Sequence, residues 1–587
     1  MKTQFRFGTL IDLFNESLTK IEPPDKVCLE IVRTERQEKL TFQQLKTRAQ
    51  SFALWLIQNR NIQPKDKVAI LGKNRADWDV ALWGTILAGG IPVLIDPERP
   101  VEGVINHLVH TDTRVLIMAD DYQNAGSRQE LKGFTSSQGL GLVEMTDSPF
   151  YGLLQNEALP ADKKDTSDNT EPDALLNDIH TKIQAGDTAV ILCTSGTTGD
   201  PREVELTHTN FIANLQGSVE RVKITSEDKL GHILPPHHSF GLTVGKLLPF
   251  WVGATNVYTN KYRQISELIR DKNITIFIAI PALFTMFAKN IEDNITGQKR
   301  KRFLLRLLDC YLPKLVGKTI IKKQGWTALR FFFSGAAPVP KWVLQVLWRR
   351  GLKLYEGYGT TENSPVYGFN DSPRELGSVG KPINTLLVKI VNETNQTLPP
   401  GEKGEIVLGG PCIMKGYYKN PKATEAVIDT DDNRVRWLHT GDLGYLDKDG
   451  DLFITGRKKY VIVLPGGKNV YPELVESALS QAPYVKEILV VPDIWKDPAG
   501  IPQETIRAIV QPAWDVIETH TNLSHSDLIK QPEILKNLIW QNINRCQKKN
   551  RLLSNFEKIS SRHLEIKIDE FQKTSTGKIK REVYIKL

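Results

Sequence analysis

Short apolar runs alternate with helical stretches through the N-terminal part of the chain. Lys67–Leu71 and Ile91–Ile95 have the pattern of buried strands, and Trp78–Leu87 between them has the pattern of an apolar helix. Because a strand, a helix and a second strand at this spacing form a parallel pair covered by the helix, the pattern predicts an α/β fold. It recurs at Ala189–Cys193, at Ile274–Ile280 with a helix at Pro281–Lys289, and at Leu329–Phe333.

The pattern changes near residue 385. Short strands such as Gly404–Leu408 alternate with Gly and Asp turns such as Asp447–Gly450, and a mixed α+β pattern follows. We therefore predict a large N-terminal region of αβ-layered sheets at 1–457, which includes a β-rich subdomain at about 385–455, and a small α+β domain at 458–587. The polar residues 155–186 are interpreted as a surface excursion or linker.

Composition places the chain among ordinary globular proteins. It has 587 residues, of which 40% are hydrophobic and 25% are charged, which excludes a mainly disordered or coiled-coil chain. The five cysteines form no C-x-x-C pair, which excludes a disulfide framework and favours a reducing, cytoplasmic location. Two apolar stretches, 80–95 and 240–258, are too short or contain Lys246, so we interpret both as buried elements and not as membrane spans.

Positive charge is concentrated in two zones. The formal net charge is +8, and residues 299–323 alone hold nine Lys/Arg against one Asp. Residues 545–587 hold twelve Lys/Arg against five acidic residues. No zinc-finger, homeodomain or RNP-like pattern accompanies this charge, so it predicts local anionic partners and no nucleic acid.

A candidate phosphate-binding loop follows the strand at Ala189–Cys193. Glycines permit close approach of backbone N–H groups to a polyphosphate, hydroxyls donate further hydrogen bonds, and a cation offsets the charge. The loop lacks the Walker A spacing, and a simple turn is the structural alternative. The predicted ATP-binding residues here are Thr194, Ser195, Gly196, Thr197, Thr198, Gly199 and Arg202.

Seven further motifs follow this loop in order. They are Pro235-Pro-His-His238 with Phe240-Gly241, Gly335-Ala-Ala-Pro338, Tyr358-Gly-Thr-Thr-Glu362, Trp437-Leu-His-Thr-Gly-Asp442, Gly456-Arg457-Lys-Lys459, Gly467-Lys-Asn-Val-Tyr-Pro472 and Thr574-Ser-Thr-Gly-Lys578 with Arg581. With these motifs, the sequence from about residue 40 to 582 resembles the adenylate-forming (acyl-activating) enzyme superfamily. Within this superfamily, the sequence as a whole resembles the long-chain fatty acyl-CoA synthetases.

The resemblance implies an ATP-dependent ligase that adenylates a medium- to long-chain fatty acid and then transfers the acyl group to a thiol. It implies ATP and Mg²⁺ as cofactors and coenzyme A as the favoured acceptor, with an acidic acyl carrier protein as the alternative. It also implies that the C-terminal domain is mobile about a hinge at Lys459. A catalytically silent acyl- or nucleotide-binding homologue is the competing interpretation.

The resemblance assigns the reacting end of the site to five side chains. Lys578 bridges the incoming carboxylate and the phosphate, and Glu362 holds Mg²⁺, which prefers carboxylate and phosphate oxygens. Thr361, with its neighbour Thr360, faces the phosphates, and His238 lies near the carboxylate and gates the acyl site. The structural alternatives are a solvated lysine in a basic tail, a mere turn, and a satisfied structural histidine.

The adenosine end is assigned to small side chains and an acid–base pair. Small residues permit a flat adenine to approach, Tyr358 packs on it, and Asp442 accepts hydrogen bonds from ribose hydroxyls. Helix–sheet packing and an Asx turn are the structural alternatives. The predicted nucleotide contacts in these motifs are Gly335, Ala336, Ala337, Tyr358, Gly359, Thr360, Asp442 and Arg457.

Three positions depart from the family pattern. Arg202 stands where the loop usually has lysine. Glu203 stands where the loop usually has glycine, which predicts an acidic side chain near the polyphosphate and a backbone that does not readily adopt a positive φ. Tyr460 stands where an acidic residue commonly follows the hinge. These departures put loop closure and ATP affinity in doubt, but not the reaction class.

The basic zone at 299–323 has apolar residues near helical spacing. Phe303, Leu304, Leu307, Leu308, Tyr311 and Leu312 follow a cluster of four cations at Lys299–Arg302. Such a segment can lie on an anionic membrane surface, which would suit a fatty-acid substrate, or can dock an acidic protein. A solvated helix packed on the core is the alternative.

Overall fold

The structure of the chain, a computed structural model, describes residues 5–19, 21, 23, 25–32, 37–120, 122, 124–145, 172–194, 202–259, 261, 264–296, 307–464, 468–496, 502–521, 523–549, 553–573 and 578–585. The predicted loop residues Ser195–Gly199, the cations Lys299–Arg302 and the linker residues 155–171 lie outside this part of the chain.

The strands of the N-terminal region have these bounds: β1 (Val27–Val32), β2 (Gln37–Thr41), β3 (Lys67–Leu71), β4 (Ile91–Ile95), β5 (Thr113–Met118), β6 (Gly141–Glu144), β7 (Thr188–Thr194), β8 (Arg202–Thr207), β9 (Lys229–His232), β10 (Thr255–Thr259), β11 (Ile276–Ala279), β12 (Phe331–Ser334), β13 (Leu354–Tyr358), β14 (Gly368–Asn370) and β15 (Lys381–Pro382). The later strands are β16 (Leu387–Val391), β17 (Gly404–Gly409), β18 (Gly416–Tyr417), β19 (Ile428–Thr430), β20 (Arg436–Leu446), β21 (Leu452–Arg457), β22 (Ile462–Leu464), β23 (Lys468–Val470), β24 (Val485–Lys496), β25 (Pro502–Pro512) and β26 (Leu564–Ile566).

The α-helices of the N-terminal region are Leu10–Thr19, Phe42–Arg60, Ala76–Leu87, Val101–His110, Ala125–Ser137, Pro172–Lys182, His208–Arg221, Ser239–Leu242, Leu248–Val252, Ile265–Asp271, Pro281–Thr296, Pro313–Gln324 and Lys341–Arg349. Those of the later part are Pro421–Glu425, Pro472–Leu479, Trp514–Thr521, His525–Ile529 and Pro532–Lys549. A π-helical turn occupies Thr243–Leu247, and short 3-10 turns occupy Thr361–Asn363, Lys458–Tyr460, Asn555–Glu557, Ser561–His563 and Arg581–Tyr584.

Two large sheets form the N-terminal region. The nine-stranded sheet has the order β15-β14-β13-β12-β11-β9-β10-β1-β2, and its strands from β13 to β1 are parallel. The seven-stranded sheet has the order β18-β8-β7-β4-β3-β5-β6. Its strands from β7 to β6 are parallel, β8 is antiparallel to β7, and β18 is antiparallel to β8. The predicted α/β class with layered sheets is confirmed.

A fully buried helix lies between the two large sheets. Every residue of Ala76–Leu87 is buried, and the helix contacts β2 of the nine-stranded sheet as well as β3 and β4 of the seven-stranded one. Apart from Asp77 and Asp79 in its first turn, the helix is mostly apolar on every side, and such a helix is stable only in a buried position. The apolar stretch 80–95 is therefore the second part of this helix followed by β4, and all of its residues are buried.

A buried ion pair connects this helix to the other sheet. The Lys246 ammonium in the π-helical turn lies 2.8 Å from Oδ2 of Asp79, which is in the helix, and the Tyr258 hydroxyl in β10 donates to the same carboxylate oxygen at 2.5 Å. The lysine also lies over the Tyr258 ring, 4.3 Å from its centroid. Because a buried charge is tolerated when it is paired and hydrogen-bonded, Lys246 can occupy the apolar stretch 240–258.

The remaining sheets are smaller. An antiparallel sheet with the order β16-β17-β20-β19, and with β21 on β20, occupies the stretch predicted to be β-rich. Strands β24, β25 and β26 form a three-stranded sheet that packs with the helices Pro472–Leu479 and Pro532–Lys549. Buried apolar residues between 462 and 564 form a cluster of their own, separate from the cluster that extends from residue 7 to residue 452.

The prediction of a linker at 155–186 is wrong for its second half. Pro172–Lys182 is a helix, and Ile179 at its end and Ile183 just beyond it are buried, both close to Gly89. Leu176, Ile179 and Ile183 recur at helical spacing, and this periodicity outweighs the polar composition. Within the described ranges, no helix has both the length and the apolarity needed to cross a bilayer.

Candidate active site

One large cleft contains most of the predicted site residues. It has a volume of about 2320 Å³ and lies where the ends of β12 and β13, the β20–β21 pair and the C-terminal segment meet. The predicted residues that line it are Arg202, His238, Gly335, Ala336, Ala337, Tyr358, Gly359, Thr360, Thr361, Glu362, Asp442, Arg457 and Lys578. Thr194 ends β7, and Ser195, Gly196, Thr197, Thr198 and Gly199 lie outside the described residues.

Lack of space for a side chain explains why two residues at the floor of the cleft are glycines. A Cβ atom on Gly335 would lie 2.9 Å from the Phe240 ring, and a Cβ atom on Gly359 would lie 1.4 Å from the carbonyl oxygen of Pro365. Ala336 has a φ of 70°, in the left-handed region that few residues other than glycine adopt. A floor without large side chains suits a planar base.

A capped turn after β13 presents the two side chains assigned to phosphate and metal. The backbone N–H of Thr360 donates to Asn363 Oδ1 at 2.6 Å, which fixes the 3-10 turn Thr361–Asn363. The hydroxyls of Thr361 and Ser239 lie 3.1 Å apart, so Thr361 is also held from the neighbouring helix.

The metal candidate Glu362 is oriented by a residue that the motifs do not include. The Tyr417 hydroxyl donates to Glu362 Oε1 at 3.0 Å, and the Arg202 guanidinium lies over the Tyr417 ring at 5.0 Å from its centroid. A carboxylate and a neighbouring hydroxyl are hard oxygen donors, and a cation for the phosphates lies alongside, so this donor set fits Mg²⁺. No sequence signal marks Tyr417, because it reaches Glu362 only through the pairing of β18 with β8.

Asp442 lies at the centre of the nucleotide end. It is buried, it pairs across the sheet with Arg457, and the Arg457 Nε lies 2.9 Å from its Oδ1. The Tyr358 hydroxyl donates to Oδ2 at 2.7 Å. Burial and the adjacent carboxylate raise the pKa of Tyr358 well above its ordinary value, so this hydroxyl remains a donor. The lone pairs left on Asp442 are suited to ribose hydroxyls.

His238 lines the other end of the cleft and packs against a second, buried histidine, His237. The ring centroids of His237 and His238 are 4.4 Å apart, and His237 Nε2 lies 3.4 Å from Asp96 Oδ1. Burial, which Asp96 opposes and Lys578 reinforces, lowers the pKa of His238 to about 4. The imidazole is therefore uncharged near neutral pH and can hydrogen-bond a substrate without adding charge.

Lys578 enters the cleft from the C-terminal segment. Its side chain is open to the solvent of the cleft but surrounded by protein, and desolvation together with the nearby Arg457 lowers its pKa to about 8. Asp442 and Glu362 act in the opposite direction on the same ammonium group. The predicted bridging lysine thus lies within electrostatic range of the residues assigned to ribose, phosphate and metal.

The predicted hinge residue, Lys459, forms an ion pair with the side-chain carboxylate of Glu582. Lys459 Nζ lies 2.9 Å from Glu582 Oε1, and the Tyr460 hydroxyl donates to the same oxygen at 2.6 Å. Burial raises the pKa of Glu582, but the Tyr460 hydrogen bond and Lys459 outweigh it, so that this pKa falls to about 2. Glu582 thus supplies the acid that the sequence lacks directly after the hinge.

The expectation for Glu203 is wrong. Glu203 lies in β8 with extended backbone opposite Cys193, and its side chain does not line the cleft. Its Oε1 lies 2.6 Å from Nδ1 of His107, and its Oε2 lies 3.1 Å from Nδ1 of His110. Burial raises the pKa of Glu203, but the contacts with these histidines outweigh it and lower the pKa below its ordinary value. The carboxylate therefore faces these histidines behind the sheet and not the cleft.

The chain is similar to known acid–CoA ligases in sequence and in fold. A long-chain-fatty-acid–CoA ligase of Escherichia coli O6:H1 is 28% identical over 530 residues, 86% of each chain. The 4-coumarate–CoA ligase 1 of Petroselinum crispum is 27% identical over 502 residues, 83% of this chain and 82% of that one. The structure of the O-succinylbenzoate coenzyme A synthetase of Bacillus subtilis, in complex with ATP and magnesium ion, is 22% identical, with a TM-score of 0.69 over 97% of this chain and 98% of that one.

The fold, a layered α/β region followed by a smaller C-terminal part, is that of this solved coenzyme A synthetase. Residues 20–418 match the family described as AMP-binding enzyme, and this chain belongs to that family. Its relatives place it among the adenylate-forming acid–thiol ligases.

Substituting Asp442 by Asn tests the nucleotide end. Asp442→Asn is expected to weaken AMP binding about 10- to 100-fold, because hydrogen bonds to a charged acceptor contribute about 1.5–3 kcal/mol. Isothermal titration calorimetry with AMP measures this. Asp449→Asn, an exposed turn residue of the same β-rich region, serves as the control. An unchanged AMP affinity in folded Asp442→Asn would contradict the role.

Proposed function

We propose that this chain is an ATP-dependent ligase that adenylates a medium- to long-chain fatty acid and transfers the acyl group to coenzyme A. The position of Lys578 carries the proposal, since this cation lies between the nucleotide end and His238. An oxygen of the substrate carboxylate and the α-phosphate of ATP can meet only where both ends of the cleft are in reach.

The proposed first step joins the carboxylate to the α-phosphate. A carboxylate oxygen attacks the α-phosphorus, the bond to the β-phosphate oxygen breaks, and pyrophosphate leaves with its electron pair. Lys578 and Arg457 oppose the negative charge that concentrates at the α-phosphate, and Glu362 would hold Mg²⁺, which neutralises the polyphosphate. In the second step a thiol sulfur attacks the acyl carbon and AMP leaves.

The choice of acid and thiol rests on different observations. Apolar side chains, among them Phe240, Phe333 and Val366, line the cleft on the side of the neutral His238, which favours an apolar acyl group. Relatives act on a fatty acid in one case and on 4-coumarate in another, and both use coenzyme A. An acyl carrier protein is the alternative acceptor, because the basic residues 545–587 offer an acidic partner a matching surface.

A panel of acids tests the reaction class and the substrate together. Acid-dependent exchange of label between pyrophosphate and ATP is expected with fatty acids across a series of chain lengths, and weaker exchange is expected with 4-coumarate. Coenzyme A or carrier protein, added separately, then identifies the acceptor by the thioester formed. Absence of exchange with every acid would refute the adenylation step and favour the silent homologue.

A two-domain organisation is part of the proposal. We infer an adenylating domain at 1–457 and a mobile domain at 458–587, and the separate apolar cluster between residues 462 and 564 supports this division. Lys289 Nζ of the first domain donates to the carbonyl oxygen of Val485 in the second at 2.9 Å, and this contact would help to hold the two in the arrangement that places Lys578 in the cleft. Thioester formation would require it to open.

The charge of Lys578 predicts a pH dependence. Because its pKa is about 8 and only the ammonium form acts, kcat/KM for ATP in adenylation is expected to fall as the pH rises through about 8. Lys578→Arg should move this decline to higher pH, since arginine stays charged. Exchange kinetics between pH 6.5 and 9.5 measure it.

Removing the cation separates the two half-reactions. Lys578→Ala is expected to lower adenylation about 10²- to 10³-fold while largely sparing the reaction of supplied acyl-adenylate with thiol. Lys548→Ala, an exposed lysine outside the cleft lining, is the matched control. Equal losses in both half-reactions would contradict the bridging role.

We also propose that the basic zone contacts an anionic membrane surface. In its described part, residues 307–311 are helical, and exposed leucines and Tyr311 share one segment with exposed lysines of the helix Pro313–Gln324. The opposite face is anchored, because Asp309 is buried and forms ion pairs with Arg349 and Arg350. The exposed residues are Leu307, Leu308, Tyr311, Leu312, Lys314, Leu315, Lys318, Lys322 and Lys323.

Flotation with vesicles tests this surface. The chain is expected to float with vesicles that contain phosphatidylserine, and Lys314→Gln with Lys318→Gln should weaken partitioning about 5-fold per lysine, since each contributes about 1 kcal/mol. Leu312→Ser should weaken it further, whereas Ile534→Ser, which changes an exposed residue of another helix, should not. Equal flotation with neutral vesicles, or no effect of the lysine changes, would refute the proposal.

A further inference from the structure

A second group of chemically reactive side chains lies behind the strands that flank the phosphate loop. Cys193 and Glu203 are cross-strand partners on β7 and β8. His107 and His110 lie one turn apart on the helix Val101–His110, which covers this side of the sheet. None of the four lines the cleft described above.

Three of these side chains lie within coordination range of one another. One ligand atom from each of His107, Cys193 and Glu203 lies within 4.8 Å of the other two, and the residues are only 2%, 4% and 6% exposed. His107 Nε2 is buried and has no hydrogen-bond partner in the described part of the chain. The side chain of His110 is 45% exposed and contacts the same carboxylate, which leaves a route from solvent.

We propose that His107, Cys193 and Glu203 form a Zn²⁺ site, with His110 as the fourth ligand. Thiolate, imidazole and carboxylate are the ligands that zinc takes in tetrahedral protein sites. One thiolate and one carboxylate balance the charge of the ion, so the loaded site is neutral, as a buried position requires.

Zinc binding would draw the buried ligand atoms together. One such atom of each of the three buried residues lies within 4.8 Å of the other two, and a tetrahedral ion with bonds near 2.0–2.3 Å holds its ligand atoms roughly 3.5 Å apart. On binding, the Cys193 thiol loses its proton to solvent, and His107 offers the ion the ring nitrogen that carries no proton. Burial and the nearby Glu203 raise the pKa of the thiol in the metal-free protein, so zinc binding should release a proton.

The location gives the site a role distinct from the Mg²⁺ of the cleft. Zinc would join the strand that enters the phosphate loop, the strand that leaves it, and the helix Val101–His110. It would therefore fix the base of the loop without touching substrate. The inference does not depend on the identity of the acid or the thiol.

Metal titration of the full chain tests the proposal. In a Cys310→Ser background, which removes the exposed thiol, protein stripped with chelator is expected to bind one Zn²⁺ in competition with a chromophoric chelator. Co²⁺ in its place should give a sulfur-to-metal charge-transfer band. Cys193→Ser should abolish this band and weaken zinc binding at least about 100-fold, because the loss of even an outer-shell partner costs 10- to 100-fold.

Three further variants make the result decisive. Glu203→Gly, which removes the carboxylate from an extended strand position, should weaken binding to a similar degree even if Cys193→Ser fails to fold. Cys412→Ser, a buried thiol elsewhere, should leave it unchanged. The proposal is overturned if no stoichiometric zinc binds, if Glu203→Gly binds normally, or if binding is lost instead in His237→Gln, since the group Asp96, His237 and His238 would then be the site.

Discussion

The buried pair of Asp79 and Lys246 determines how the two large sheets meet. Asp79 belongs to the helix that packs on the seven-stranded sheet, and it is bonded by Lys246 and by Tyr258 of the nine-stranded sheet. Desolvation lowers the pKa of Lys246, and the Asp79 carboxylate opposes this change. Removing either partner would leave an isolated charge in the core, a cost of about 3–5 kcal/mol. The segment that carries His238 and Phe240 to the cleft begins only a few residues before this lysine, so the shape of the acyl end depends on the pair.

In the cleft, too, charged side chains lie next to groups that stabilise them. Arg457 neutralises Asp442, and the Tyr417 hydroxyl donates to Glu362. Desolvation and the nearby Arg457 lower the pKa of Lys578, and the carboxylates of Asp442 and Glu362 oppose this change. A polyanion bound beside Lys578 would favour its ammonium form further, in keeping with the proposal that the site takes ATP.

The sequence was sufficient to predict the elements and motifs whose determinants are local. Buried strands such as β3, β4 and β7 were predicted from apolar runs, and the ordered motifs predicted which residues share the cleft. The side-chain direction of Glu203 was not predictable, because its partner His107 lies 96 positions away on another element. Tyr417 was missed for the same reason, since 55 residues separate it from Glu362. Such contacts depend on strand order, which no local pattern encodes.

Thr194 and Arg202 are paired at the ends of β7 and β8, so the sheet itself holds together the two ends of the segment that connects them. Directly paired residues of an antiparallel ladder keep their Cα atoms about 4.5–5.5 Å apart, whatever residues connect them. The entropy of closing the loop between them also changes only slowly with its length. A change in the length of the connection between them should therefore have little effect on the stability of the sheet.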